Sequence, residues 1–198
     1  MRTWHTGVEV SERTADLRPL LNEWVKLYSL ACDTFPQTKE RWYVEQTLAG
    51  LIVAAGWRLD IRGISEVKTD RLGPVNTRKG RADVVLDVTG TSTAFETKIY
   101  WFNNPGGLET VLGKLEDACS EASSLEAAVA ARRIGVSFGV MEKGGVPIER
   151  LLQDSLARVH GAAHDFVAWS ALIPSHKTVH YPGCLAIGRL ASYAPPNR

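Results

Sequence analysis

The 198-residue sequence predicts an α/β (α+β) fold with a central mixed β-sheet flanked by helices. Apolar residues recur at helical spacing, three and four apart, in two segments near the N-terminus. Two runs rich in Val, Leu, Phe and Ile then flank Thr89-Gly90, as the strands of a β-hairpin do. A long amphipathic pattern separates this hairpin from a further apolar run, which indicates a crossover helix to a parallel strand.

The elements follow one another along a chain whose length fits a single domain, 1–198. We expect a core over 37–140, preceded by an N-terminal helix at 16–32 and followed by C-terminal strands and a helix over 146–192. Within these limits the predicted elements are a helix at 37–55 between Pro36 and Gly56, a strand at 57–64, hairpin strands at 82–88 and 91–101, a helix at 108–132, a strand at 133–141, a helix at 148–160, and strands at 165–173 and 178–190.

The composition limits the classes of protein to consider. A hydrophobic fraction of 44% and a charged fraction of 23% are typical of globular proteins, and they argue against disorder or a membrane class. The longest apolar run, Leu48 to Trp57, is too short to span a bilayer. No secretory signal pattern opens the chain, so we expect a cytoplasmic protein. An odd number of widely spaced cysteines favours reduced thiols over disulfides or a zinc site.

Positive charge is concentrated in one segment. The net charge of +1 provides no chain-wide attraction for nucleic acid, so any such attraction must be local. The segment 66–81 contains Gly and Pro residues that indicate a loop, and five basic residues there form a candidate nucleic-acid contact. They are Lys68, Arg71, Arg78, Lys79 and Arg81. A solvated basic loop without a ligand is the alternative.

The hairpin carries charges inside its apolar strands. If its strands pair around a two-residue turn at Thr89-Gly90, Asp83 falls opposite Glu96, and Lys98 lies on the same face. Two carboxylates that close repel each other unless a cation lies between them, and Mg²⁺ prefers such oxygen ligands. A nearby lysine can orient a water activated by the ion, which suits phosphodiester hydrolysis. A one-residue slip in register would separate the acids, and a simple cross-strand salt-bridge cluster is the alternative.

This pattern resembles that of the PD-(D/E)XK nuclease superfamily, which has the restriction-endonuclease-like fold, a three-layer sandwich. The resemblance covers about 37–140. It implies that Asp83 and Glu96 bind the metal, that Lys98 is the catalytic lysine and that Glu45 is an accessory acid on the preceding helix. Ala82 stands where the family often has proline.

The resemblance further implies a Mg²⁺-dependent deoxyribonuclease, with Mn²⁺ as a substitute ion. We expect DNA rather than RNA as the substrate, and an endonuclease of the restriction, defence or DNA-processing kind. Double-strand cutting would suggest a symmetric homodimer. A nuclease-like domain that binds nucleic acid or protein without cutting it is the main alternative.

Other motifs offer weaker alternatives. Glu66-Val67-Lys68 is a second acid-x-Lys tripeptide, which could pair with Asp60. The sequence GVSFG matches a nucleophile elbow at Ser137, with Asp154 and His160 in the chain order of a serine hydrolase triad. His160 and His164 have a spacing that can bind a transition metal, although two histidines at a helix end are the simpler interpretation.

Overall fold

A computed structural model describes residues 3–34, 45–71, 78–126, 128–144, 146–173 and 182–191. A 3₁₀ helix at Glu12–Leu17 leads into the first α-helix. The α-helices of these residues are α1 Arg18–Thr34, α2 Glu45–Arg58, α3 Gly107–Ser123 and α4 Ile148–His160. The strands are β1 Thr3–Val10, β2 Gly63–Arg71, β3 Arg78–Val88, β4 Thr91–Phe102, β5 Arg132–Met141, β6 Phe166–Ile173 and β7 Gly183–Leu190.

Over the described ranges the strands form one seven-stranded mixed sheet in the order β1-β6-β7-β5-β4-β3-β2. β4 and β5 are parallel, and the other neighbouring strands are antiparallel. The parallel pair is joined through α3, because parallel strands need a crossover connection. The predicted α/β class with a mixed sheet is therefore confirmed.

Helices cover both faces of this sheet. One hydrophobic cluster packs α1 and α2 against one face, with Trp24 stacked on Phe138 of β5. A second cluster packs α3 and α4 against the other face, around residues such as Leu115, Leu151 and Leu185. Successive residues of a strand point to opposite faces, so β5 supplies Phe138 to the first cluster and Met141 to the second.

The predicted end of the second helix at Gly56 and the predicted strand at 57–64 are wrong. α2 continues to Arg58, and β2 begins at Gly63. Gly56 is buried inside the helix, where it lies beside Leu86 of β3. The chain reverses at Asp60, which adopts the left-handed conformation (φ 57°) that often ends helices. The predicted beginning of this helix, 37–44, lies outside the described residues.

Three further predictions differ from the structure. The predicted loop at 66–81 contains the end of β2 and the beginning of β3. The helix predicted to reach residue 132 ends at Ser123, where the hydroxyls of Ser123 and Ser124 bind the carbonyls of Ser120 and Glu121. β1 was not predicted, because none of its residues is fully buried and they give little apolar signal.

In the described part of the chain, no helix combines the length and apolarity needed to cross a membrane.

Candidate active site

The register of the β3–β4 hairpin positions the candidate site. Its turn consists of Thr89 (φ 50°) and Gly90 (φ 81°), the two left-handed residues that a type I′ hairpin requires. The strands pair from Val88 with Thr91 to Val84 with Phe95, which is the predicted register. This register therefore fixes which residues meet at the open end of the hairpin.

The two strands separate immediately beyond Val84 and Phe95, where their ladder ends. β4 continues beside β5, and β3 continues beside β2. Asp83 lies at this fork. Its Oδ2 accepts two hydrogen bonds from Thr97, one from the backbone N–H (2.7 Å) and one from the side-chain hydroxyl (2.9 Å). The predicted cross-strand pair of Asp83 with Glu96 is thus replaced by a contact with Thr97.

Lys98 extends from β4 toward α3, where its Nζ lies 3.0 Å from Oε2 of Glu121. Burial opposes the charge of this ammonium, but the hydrogen bond to Glu121 and the nearby carboxylates outweigh burial. Together they raise the pKa of Lys98 above its ordinary value. Lys98 is therefore a protonated hydrogen-bond donor in this arrangement.

Glu45 occupies the first turn of α2 and is half-buried. Burial, followed by the negative charges of Asp83 and Glu121, raises the pKa of Glu45, against the opposing effect of Lys98. The backbone N–H of Ile99 also opposes this rise in the pKa of Glu45. The structure thus brings together three predicted site residues from three elements: Glu45, Asp83 and Lys98.

Glu96 lies deeper than these three residues, with only 1% of its surface exposed. It is paired with Gly135 of β5. At Gly135 the helix α3 approaches so closely that an added Cβ would come 2.4 Å from the backbone nitrogen of Cys119. Glu96 is therefore enclosed between the sheet and α3, and its role as a metal ligand stays a prediction.

A cleft of about 420 Å³ opens beside Asp83, between α2 and the strands β2 and β3. Glu66 and Arg81 face each other in it through an ion pair of 3.0 Å. The described residues that line it are Glu45, Gln46, Ala49, Ser65, Glu66, Arg81, Asp83 and Thr97. The second acid-x-Lys tripeptide thus contributes Glu66 to the same cleft, whereas Asp60 lies in the exposed turn after α2.

Sequence reasoning missed Glu121, although a signal for it exists. Glu121 lies beside the apolar stripe of α3, next to Ala118 and Ala122, which are both fully buried. The crossover helix α3 packs back onto β4, the strand that precedes it. Glu121, at the edge of the apolar stripe of α3, therefore lies within reach of Lys98 on β4.

The predicted nucleic-acid contacts lie on the strands that extend from the cleft. Lys68 of β2 is paired with Arg81 of β3, and both side chains are exposed. Arg71 is paired with Arg78 through the backbone, and Lys79 with Asp70. The side chains of Arg71, Arg78 and Lys79 lie outside the described part. These residues therefore belong to a β-ribbon rather than to the predicted loop.

The chemistry of the cleft fits a hydrated Mg²⁺ ion. Its acidic groups offer oxygen ligands, and Mg²⁺ is usually held by one or two carboxylates while it keeps several waters. The described residues contain no group of three or more His, Cys, Asp or Glu side chains that could hold a metal ion. A closed metal cage, as in structural zinc sites, is therefore not formed by these residues.

Among the described residues, neither the nucleophile elbow nor the histidine pair assembles as its motif requires. Ser137 lies in the middle of β5 with no exposed surface, as the predicted strand at 133–141 requires, so the strand-to-helix turn of a nucleophile elbow is not formed there. His160 lies 2.9 Å from a carboxylate oxygen of Glu9, whereas His164 contacts the carbonyl of Ala162. The two histidines thus have separate partners. The three cysteines, Cys32, Cys119 and Cys184, are free and buried.

Comparisons of this chain with protein-family models, with curated proteins and with solved structures gave no significant match.

Proposed function

We propose that this chain is a Mg²⁺-dependent nuclease with the restriction-endonuclease-like fold, a member of the PD-(D/E)XK superfamily that hydrolyses phosphodiester bonds in DNA. The observation that carries this proposal is the position of Asp83 where β3 and β4 separate, hydrogen-bonded to Thr97 of the tripeptide Glu96-Thr97-Lys98 and in one cleft with Glu45. An acid on one central strand, and an acid-x-Lys tripeptide on the next strand, form the pattern on which the resemblance rests.

Asp83, which lines the cleft, would hold the ion, and the resemblance implies Glu96 as its second ligand. When bound, the ion would acidify the attacking water and stabilise charge on the phosphate. Lys98 stays protonated beside Glu121, so it would donate a hydrogen bond that orients this water or a phosphate oxygen. Glu121 keeps the lysine ammonium in place, because a charge-assisted hydrogen bond restricts an otherwise flexible side chain.

DNA would approach along the ribbon formed by β2 and β3. Lys68 and Arg81 are opposite each other on this ribbon, and Arg81 also lines the cleft beside Asp83. Such cations bind DNA phosphates irrespective of the base sequence, and they position the DNA backbone relative to a catalytic group. An endonuclease would cut circular DNA, and one that cuts both strands would act as a homodimer.

Cleavage of nucleic acid is the direct test. Supercoiled plasmid, linear duplex, single-stranded DNA and RNA would be incubated with the purified protein in Mg²⁺, in Mn²⁺ or in excess chelator. We expect metal-dependent nicking or linearisation of the plasmid, and loss of this activity in Asp83→Asn. The matched control is Asp87→Asn, on the same strand but exposed near the turn.

Two results would contradict the proposal. The first is the absence of metal-dependent cleavage of every substrate, and the second is a variant Asp83→Asn that cuts as fast as Asp87→Asn. Salt-dependent binding of DNA without any cleavage would instead identify a non-catalytic nuclease-like domain.

A further inference from the structure

Thr97, the central residue of the tripeptide Glu96-Thr97-Lys98, makes an unusual pair of contacts with Asp83. Its backbone N–H and its side-chain hydroxyl both bind the same carboxylate oxygen, Oδ2, at 2.7 and 2.9 Å. Thr97 has no exposed surface, whereas Asp83 is partly exposed and lines the cleft. One rigid, buried residue thus holds one side of a carboxylate that faces solvent.

The fork between β3 and β4 explains why Thr97 binds Asp83. A buried backbone N–H must have a hydrogen-bond partner, and the β3–β4 ladder ends before Thr97. The Asp83 carboxylate replaces the missing strand partner, and hydrogen bonds to an ionised acceptor are shorter and stronger than neutral ones. Both of these hydrogen bonds go to Oδ2, and Asp83 also lines the cleft.

We propose that Thr97 is a positioning residue that fixes Asp83 so that it binds the divalent ion through Oδ1 alone. This inference rests on the proposed function, because it concerns the metal site of the proposed nuclease. Groups that hold a metal-binding carboxylate from behind limit its rotation, and their loss commonly weakens metal binding. The hydroxyl of Thr97 therefore contributes to metal affinity without touching the ion.

The test measures Mn²⁺ binding to the protein without nucleic acid, by calorimetry or by the paramagnetic resonance of free Mn²⁺. Thr97→Val keeps the shape of the side chain and removes the hydroxyl, whereas Thr97→Ser keeps the hydroxyl. We expect the dissociation constant to rise about 10-fold or more in Thr97→Val, as for other partners of metal ligands. In Thr97→Ser it should stay close to that of the unmodified protein.

Thr93→Val is the matched control. Thr93 is also fully buried in β4, but its hydroxyl accepts a hydrogen bond from Arg132 near the other end of the hairpin. We expect Thr93→Val to lower the melting temperature without changing Mn²⁺ affinity. A similar loss of affinity in Thr93→Val would show that general destabilisation is the cause, and it would overturn the inference.

The remaining outcomes separate this inference from the proposed function. If Asp83→Asn removes Mn²⁺ binding but Thr97→Val binds as tightly as the unmodified protein, or more tightly, only the role of Thr97 is wrong. Equal losses in Thr97→Val and Thr97→Ser would also overturn it, because the serine retains the hydroxyl. If Asp83→Asn binds Mn²⁺ normally, the proposed metal site itself is wrong.

Discussion

The two ends of the β3–β4 hairpin differ in the charged groups that surround them. At the turn, Asp16 receives two hydrogen bonds of 2.9 Å from the guanidinium of Arg132, which also binds Thr93 at 3.0 Å. At the open end, the ammonium of Lys98 is influenced by the carboxylates of Glu121, Glu45 and Asp83. A matched ion pair thus lies beside the turn end of the hairpin, whereas the described residues near the open end include one ammonium and three carboxylates.

The charged groups at the turn end stabilise the fold, whereas those at the open end are typical of a site that binds a ligand or an ion. The hydrogen bonds from Arg132 hold the pKa of Asp16 below its ordinary value, so ionised Asp16 stabilises the fold. Burial and neighbouring acids raise the pKa of Glu45, so its charge is unfavourable in the absence of a further cation. Clusters whose charges are not balanced within the protein are typical of sites that bind a ligand or an ion.

Replacing Lys98 is expected to give the largest effect on activity. Lys98→Met keeps much of the aliphatic side chain but removes the donor, so kcat for DNA cleavage should fall about 10²- to 10³-fold, as when a group that stabilises a transition state is lost. Lys114→Met on α3 is the matched control, because Lys114 forms only a surface pair with Asp117. Equal activities of the two variants would rule out a catalytic role for Lys98.

Removing the partner of Lys98 should have a smaller effect on cleavage. Glu121→Gln keeps the shape of the side chain but loses the charge-assisted hydrogen bond, so we expect kcat to fall about 10-fold with little change in KM. Asp117→Asn, on the exposed side of the same helix, should have no effect. A rise in KM at constant kcat would indicate that Glu121 affects DNA binding rather than the position of Lys98.

A substitution at the turn end of the hairpin should lower the stability of the protein and leave its cleavage activity unchanged. Asp16→Asn is expected to lower the free energy of unfolding at pH 7 by about 1 kcal/mol, since a partly exposed ion pair contributes little more. The pKa of Asp16 is lower in the folded protein. Its contribution is therefore complete above the unfolded-state pKa and disappears as the pH falls through the folded-state value.

Denaturant unfolding at several pH values measures this contribution. The difference between Asp16→Asn and the unmodified protein should be constant near neutral pH and should vanish in acid. The cleavage rate of the folded variant should be unchanged. A large loss of cleavage in Asp16→Asn would contradict the division of the hairpin into a structural end and a reactive end.

The smallest effect is expected on the ribbon beyond the open end. Lys68→Ala should weaken DNA binding to a similar extent for all sequences and should reduce the slope of log affinity against log salt by about 1, as for one lost phosphate contact. Lys143→Ala replaces another exposed lysine, outside this ribbon, and serves as the control. An unchanged salt dependence would exclude Lys68 from the DNA contact.

The hairpin was predictable because its local chemistry decides its geometry. Thr89-Gly90 supplies the two left-handed residues of the turn, and alternation of apolar residues assigns Val84, Leu86 and Phe95 to the buried face. The register then follows without any long-range contact. The register from Val88 with Thr91 to Val84 with Phe95 could therefore be predicted from a short stretch of sequence, whereas the contact of Asp83 with Thr97 could not.

Other features depend on contacts between distant segments, and so they escaped prediction. β1 is a strand because its backbone is paired with β6, more than 150 residues later, and not because of its own residues. The fork at Asp83 forms because β3 continues its pairing with β2 while β4 continues its pairing with β5. Glu66 and Glu121 join the site only when β2 and α3 are in place. The alternation and the helical spacing of apolar residues do not indicate which distant segments come into contact.

The most direct test of the central claim is a crystal structure with Mn²⁺, in which the ion is located by its anomalous scattering. We expect one anomalous peak about 2.1 Å from a carboxylate oxygen of Asp83, the ligand distance of a small hard cation. No peak should lie beside Asp16 and Arg132 at the turn. A structure with Mn²⁺ absent from the Asp83 cleft at saturating concentration, or bound only elsewhere, would contradict the assignment of the open end as the reactive end.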